Sequence, residues 1–135
     1  MSRPSELTTD NTVKVVALVL ENNQGEVLLT QRQAGKHLAG FWEFPGGKVD
    51  ANETLQAALI REIREELDYF PKQFNKLITI NHQYPEKKVE LHFYQCIDGN
   101  ANPKPMEQQS MQWVHKSKLS NIKLPDANLI VLDLL

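Results

Sequence analysis

The sequence has one cysteine, no long hydrophobic run and no excess of positive charge among its 135 residues. The lone Cys96 excludes an internal disulfide and a cysteine-based zinc cluster, and its apolar surroundings predict a buried structural thiol. The longest apolar stretch, residues 13–20, is far shorter than the roughly 20 residues that span a bilayer. A net charge of −2 gives no basic field for a nucleic-acid backbone. We therefore expect a cytoplasmic protein that binds neither membranes nor nucleic acids.

The sequence also lacks internal repeats, low-complexity tracts and a secretory signal. Residues 1–11 are polar without an apolar core, which predicts a flexible tail and not a signal peptide. A hydrophobic fraction of 41% and a charged fraction of 24% are ordinary for a globular protein. The length predicts a single domain, residues 1–135, with one core, and we expect a monomer.

Hydrophobic patterning and turn residues predict an α/β fold, a mixed sheet with a helix on each face. The predicted strands are 13–20, 26–31, 41–44, 77–84, 89–97 and 111–115. A first helix is predicted from an N-cap at Asn52, with Glu53 in its first turn, to a stop at Pro71. A second, largely apolar helix is predicted over residues 126–135.

Three carboxylates stand out in the first helix. Glu62, Glu65 and Glu66 are spaced by three and four residues, so they lie on one helical face within about one turn. Like charges at this spacing destabilise a bare helix, which a bound cation would relieve. Mg²⁺ and Mn²⁺ prefer hard oxygen ligands, and the pattern therefore predicts a divalent-metal site.

The spacing around these acids resembles a known motif. Gly47 is followed after five residues by Glu53, and seven residues later Arg61 begins the run REIREELDY. This is similar to the Nudix box, G-x5-E-x7-R-E-U-x-E-E-x-G-U, where U is aliphatic. Asp68 replaces the second glycine, which would end the helix in a left-handed conformation that Asp tolerates better than most residues. Tyr69 replaces the final aliphatic residue.

The likeness extends over residues 13–135 and is closest to the MutT-type members of the Nudix family. The segment FPGGK before the helix is similar to their loop, Glu107 lies six residues before Trp113, and Asn128 lies fifteen residues after it. The resemblance implies the Nudix fold, an α/β/α sandwich. It also implies substrate-binding roles for Arg32, His37, Phe44 and Asn128.

The resemblance implies hydrolysis of a nucleoside triphosphate to the monophosphate and pyrophosphate, with Mg²⁺ or Mn²⁺ as cofactor. The implied metal ligands are the Gly46 carbonyl and the carboxylates of Glu62, Glu65, Glu66 and Glu107. The implied catalytic residues are Glu62, Glu66, Glu107 and Lys48. The general base is either Glu62 or Glu107, the latter on a loop expected to be mobile. We expect Arg61 to pair with Glu65 across one helical turn.

Asn128 is the predicted base-reading residue. Its amide presents a donor beside an acceptor, which matches the N7–H and O6 of 8-oxoguanine but not the two acceptors of guanine. This predicts removal of 8-oxo-dGTP from the nucleotide pool. Three alternatives remain: a helix N-cap role for Asn128, a pyrophosphohydrolase for CTP or modified pyrimidine nucleotides, and a non-catalytic nucleotide-sensing domain.

Overall fold

The computed structural model describes residues 12–36 and 38–135, so the predicted tail and the predicted substrate residue His37 lie outside it. Seven strands and two α-helices occur in this part of the chain. The strands are β1 (Thr12–Glu21), β2 (Glu26–Gln31), β3 (Trp42–Glu43), β4 (Gly46–Lys48), β5 (Asn75–Gln83), β6 (Lys88–Ile97) and β7 (Met111–His115). The helices are α1 (Leu55–Leu67), α2 (Asp126–Leu132) and a short 3₁₀ helix (Lys116–Asn121).

The strands form one mixed sheet with β1 at its centre. The main strand order is β3-β2-β1-β6-β5, and β1 runs parallel to β6 from Thr12–Lys88 to Glu21–Ile97. On its other edge β1 pairs with β4 through Val15–Ala17 and with β2 only at its end. This arrangement places the short glycine-containing strand β4 beside the middle of the sheet.

Each face of the sheet carries a helix. α1 buries Ala58, Leu59, Ile63 and Leu67 against one face. The 3₁₀ helix, α2 and the segment between them cover the other face through Leu119, Val131 and Leu124, respectively. The predicted α/β/α sandwich is therefore confirmed. Cys96 is buried on the α1 face, as predicted, and its burial raises the pKa of the thiol.

The start of α1 differs from the prediction. Thr54 is the N-cap, and its Oγ1 accepts a hydrogen bond from the Ala57 N–H at 3.0 Å. Asn52 instead adopts a left-handed conformation with φ of 65°, which asparagine tolerates in turns. Glu53 therefore precedes the helix and does not lie in its first turn. Asparagine and threonine both cap helices, and the conformation of the turn places Thr54 at the N-cap.

The end of α1 follows the reasoning from the motif. Asp68 is the C-cap with φ of 51° and ψ of 38°, and its N–H donates to the Arg64 carbonyl at 3.0 Å. The position reserved for glycine in the motif is thus left-handed here as well. The helix stops at Leu67, several residues before Pro71.

The terminal helix is shorter than predicted. α2 begins at Asp126, directly after Pro125, and ends at Leu132. Asn128 is the third residue of α2, so the N-cap alternative for Asn128 is wrong. Its side chain is therefore available for a contact outside its own helix. No helix in the described residues is long and apolar enough to cross a membrane.

Candidate active site

A cavity of about 390 Å³ opens beside β4, which is in the size range of small-molecule sites. Its walls come from β1, β2, β3, β4, β6, α1, α2 and the loops after β2, after β3 and before β7. Seven of the predicted site residues line it: Arg32, Phe44, Gly46, Lys48, Glu66, Glu107 and Asn128. The structure thus brings together residues that are far apart in the sequence.

The two glycines of β4 allow close approaches that a side chain would prevent. A Cβ atom at Gly46 would overlap the carbonyl oxygen of Val16 in β1. A Cβ atom at Gly47 would overlap the carboxylate of Glu62, which reaches across from α1. The glycine pair is therefore needed for both strand pairing and the placement of a predicted metal ligand.

Arg61, in the middle of α1, contacts one acid before the helix and two acids on it. Its Nε and Nη2 atoms donate to both carboxylate oxygens of Glu53, at 2.7 and 2.9 Å. Its Nη1 lies 3.0 Å from Glu62 Oε2 and 3.3 Å from Glu65 Oε1. The predicted pair between Arg61 and Glu65 is present.

The pKa of Glu53 shows the effect of this network. Hydrogen bonds from Arg61 and from the Asp50 N–H lower the pKa of Glu53 to about 2. The two-point guanidinium–carboxylate geometry stabilises the ionised form of this acid. Glu53 therefore anchors the turn before α1 to the helix.

Glu66 lies one helical turn after Glu62, and its environment raises its pKa where that of Glu53 lowers it. Burial raises its pKa to about 9, and the nearby carboxylates of Glu62 and Glu107 add to the shift. In the part of the chain that the structure describes, no ion pair joins Glu66 to a basic side chain. A carboxylate in these surroundings is costly to ionise unless a cation is close.

The donor set fits a hard divalent cation in its chemistry. Glu66 and Glu107 line the cavity, and the Glu62 carboxylate lies against Gly47, which also lines it, so that three carboxylates supply oxygen donors. Within residues 12–36 and 38–135, however, no three His, Cys, Asp or Glu side chains converge closely enough to hold one ion as they stand. Glu62 and Glu65 are turned toward Arg61, and the Glu65 side chain is 53% exposed and outside the cavity.

The loop carrying Glu107 is attached to the end of α1. The backbone N–H groups of Lys104 and Met106 donate to the Leu67 and Glu66 carbonyls, at 2.8 and 2.9 Å. These bonds satisfy carbonyls that a helix end otherwise leaves without partners. The loop that we expected to be mobile is therefore fixed to the helix that carries Glu66.

Asn128 and Phe44 form the opposite end of the cavity. Asn128 is only 8% exposed, and its Oδ1 accepts a hydrogen bond from the Phe44 N–H at 3.3 Å. The Phe44 ring packs edge-on against Phe93, with centroids 6.2 Å apart. This apolar wall holds the amide and the neighbouring N–H in fixed positions.

Two further residues that line the cavity are not predicted by the sequence patterns. The Glu43 carboxylate accepts a hydrogen bond from Arg32 Nη1 at 2.9 Å, and burial nevertheless raises the pKa of Glu43. Gln109 is 9% exposed and also lines the cavity. Glu43 directly precedes the FPGGK segment and Gln109 follows Glu107 by two residues, but neither position carries a charge pattern or spacing of its own.

The arrangement is that of an enzyme for an anionic small molecule, with an acid cluster at one end of a cavity and a polar reading group at the other. Comparison with known proteins agrees. Residues 16–134 match the family described as NUDIX domain. The 8-oxo-dGTP diphosphatase of Haemophilus influenzae is 35% identical over 116 residues, which cover 86% of this chain and 85% of the relative.

Two other relatives cover most of the chain. The CTP pyrophosphohydrolase of Escherichia coli is 31% identical over 121 residues, 90% of this chain and 89% of that protein. A solved structure from a study of MutT from Aliivibrio salmonicida and Vibrio cholerae is 30% identical, with a TM-score of 0.78. It covers 91% of this chain and 95% of its own. The chain therefore belongs to the Nudix family, as a MutT-type hydrolase of phosphoric anhydrides.

Proposed function

We propose that the protein is a Mg²⁺-dependent nucleoside triphosphate pyrophosphohydrolase whose preferred substrate is 8-oxo-dGTP. One observation carries the proposal: a single cavity is lined by the Glu66 and Glu107 acids and by Asn128, whose amide oxygen is fixed by the Phe44 N–H. The described residues would form one domain that acts as a monomer on the free nucleotide. Its role would be to sanitise the nucleotide pool before replication.

The acid end accounts for the reaction. Glu62, Glu65, Glu66, Glu107 and the Gly46 carbonyl would hold the metal, which when bound neutralises phosphate charge and lowers the pKa of water. Lys48 and Arg32 line the same cavity and supply fixed positive charge for the phosphate chain. Mn²⁺ has the same ligand preference and would substitute for Mg²⁺.

The contacts of Glu62 and Glu107 favour one general base. Arg61 Nη1 lies 3.0 Å from Glu62 Oε2, so one oxygen of that carboxylate is already engaged. Glu107 is exposed, lines the cavity and forms no such ion pair among the described residues. We assign Glu107 the role of removing the proton from the attacking water.

The Asn128 end accounts for base choice. Its Nδ2 donates, and its Oδ1, which already accepts the Phe44 N–H, has a second lone pair for the base. The N7–H and O6 of 8-oxoguanine complement this amide, whereas N7 of guanine would leave Oδ1 facing another acceptor. Buried polar groups left unpaired in this way discriminate strongly between substrates.

CTP is the second candidate substrate, supported by the Escherichia coli CTP pyrophosphohydrolase relative. Cytosine presents an N4 donor beside its N3 acceptor, so the same amide could also read it. The non-catalytic alternative is not retained, because the chain is a hydrolase by family. The choice between purine and pyrimidine therefore depends on kinetics.

A nucleotide panel tests the proposal. With Mg²⁺, kcat/KM for 8-oxo-dGTP should exceed that for dGTP, CTP and dCTP by at least about tenfold. Asn128→Ala should remove this preference while leaving metal-dependent pyrophosphate release. Asn121→Ala, an exposed asparagine at the end of the 3₁₀ helix, is the matched control and should keep it. A wild-type preference for CTP would establish the second candidate instead.

A further inference from the structure

The backbone of Glu107 is held on both sides by glutamine side chains. Gln33, from the loop after β2, donates its Nε2 to the Glu107 carbonyl at 2.7 Å. Gln109 accepts a hydrogen bond from the Glu107 N–H on its Oε1 at 2.8 Å. Both backbone polar groups of this one residue are therefore fixed by side chains and not by strand or helix pairing.

Gln109 also reaches the helix that carries the other cavity acids. Its Nε2 donates to the Glu66 carbonyl at 3.0 Å, and the side chain is almost fully buried. One amide thus joins the backbone of Glu107 to the backbone of Glu66. Both of its hydrogen-bonding groups are used on residues whose carboxylates line the cavity.

Capping of α1 does not by itself require this contact. The Glu66 carbonyl already accepts the Met106 N–H at 2.9 Å, and the Leu67 carbonyl accepts the Lys104 N–H at 2.8 Å. Between Glu107 and Gln109, moreover, Gln108 adopts a left-handed φ of 61°, which is unfavourable for a residue other than glycine. The chain accepts this conformation at the turn where Gln109 folds back onto Glu107.

We propose that Gln109 is a positioning residue that fixes Glu107 relative to Glu66 and controls turnover through Glu107. The inference rests on the proposed function, in which both acids act on the triphosphate. Loss of the link leaves the loop attached through Lys104 and Met106 but frees the Glu107 N–H, so that only Gln33 still holds the backbone of Glu107. A misplacement of about 1 Å at such a group lowers turnover by roughly 10²-fold.

The test replaces Gln109 with methionine, which has a similar length but lacks the amide. In Gln109→Met, kcat should fall roughly 10- to 100-fold with little change in KM. In a Glu107→Gln background the same substitution should have almost no further effect on kcat, because the two residues act as one unit. Gln112→Met, in β7 and outside the cavity lining, is the matched control and should retain wild-type kcat.

Hydrogen exchange in the metal-free protein gives a readout independent of activity. Backbone amides of Glu107 and its neighbours should exchange faster in Gln109→Met, while those in the middle of α1 stay protected. Additive losses of kcat in the double variant, or unchanged exchange at Glu107, would overturn the inference. If wild-type protein hydrolyses no nucleotide, the proposed function fails instead, and exchange still reports whether the link exists.

Gln33→Met keeps the test decisive if Gln109→Met does not fold. Gln33 is exposed, and its substitution removes only the hydrogen bond to the Glu107 carbonyl. A smaller fall in kcat is expected, and it should also disappear in the Glu107→Gln background. A fall that persists there would contradict control through Glu107.

Discussion

The two halves of the acidic network on α1 have opposite electrostatics. In the middle of α1, Arg61 contacts Glu62 and Glu65 and also Glu53, which precedes the helix, and it holds the pKa of Glu53 at about 2. One turn later, burial and neighbouring carboxylates raise the pKa of Glu66 to about 9. The same residue type is stabilised as an anion at one end and opposed as an anion at the other.

The contrast separates a structural task from a chemical one. A charge that the chain neutralises itself stabilises the fold and does not depend on a ligand. A buried carboxylate beside other carboxylates lowers stability, and its ionisation becomes favourable only when a cation binds. Perturbed acids of the second kind are characteristic of functional sites.

The largest expected effect is that of Glu66→Gln. Loss of this carboxylate should lower kcat/KM by roughly 10²–10³-fold or more, because charge stabilisation of the reacting phosphate is lost. The metal-free variant should nevertheless be more stable than wild type at pH 8. The raised pKa means that stability is lost as pH rises from about 4.5 toward 9, so the gain should vanish near pH 4.

Thermal unfolding with and without Mg²⁺ checks this prediction. Glu65→Gln is the same substitution on the same helix at an exposed residue outside the cavity, and it should not reproduce the gain in metal-free stability at pH 8. A Glu66→Gln variant that is less stable than wild type at pH 8 would remove the proposed contrast between the two halves.

An intermediate effect is expected for Glu53→Gln. Its depressed pKa contributes stability that is present above about pH 4.5 and lost as pH falls through about 2. The variant should therefore unfold at a lower temperature than wild type at pH 7 and at a similar temperature at pH 2. Arg61 would also hold Glu62 less firmly, and a modest loss of kcat should follow. A pH-independent difference in unfolding temperature would contradict the electrostatic origin of this effect.

The sequence predicted the charged positions well and the turns less well. The spacing of Glu62, Glu65 and Glu66 reflects helical periodicity, which is a local property and survives in the structure. The start of α1 was misplaced by two residues because Asn52 and Thr54 are both good caps, and only the backbone conformation separates them. Element boundaries depend on such small energy differences.

Contacts between residues that are distant in the sequence could not be predicted from local sequence patterns. Glu43 lines the cavity and forms an ion pair with Arg32, which directly follows β2. Gln109 also lines the cavity and contacts α1. Neither residue belongs to a periodic pattern, and each acquires its role only when the loops meet. The catalytic, metal-binding and substrate-binding roles of the predicted site residues remain predictions, and His37 lies outside the described residues.

The smallest expected effect concerns the end of α1. Asp68→Gly should stabilise the protein by about 0.5–1 kcal/mol, because glycine adopts the left-handed C-cap without a Cβ penalty. Asp68→Asn is the control, since it removes the same charge from the negative end of the helix dipole but keeps a side chain. Chemical denaturation measures both. Equal gains would assign the effect to charge, and a gain confined to glycine would assign it to backbone strain.

The parallel pairing of β1 with β6 has a consequence for how the molecule forms. Thr12 meets Lys88 and Glu21 meets Ile97, so these central strands close a loop that contains β4, α1 and most of the cavity. Loops of this length are closed late, and folds dominated by such distant pairings reach the native state in milliseconds to seconds, not microseconds. During folding, the predicted metal-binding acids should therefore be assembled only after the two central strands have paired.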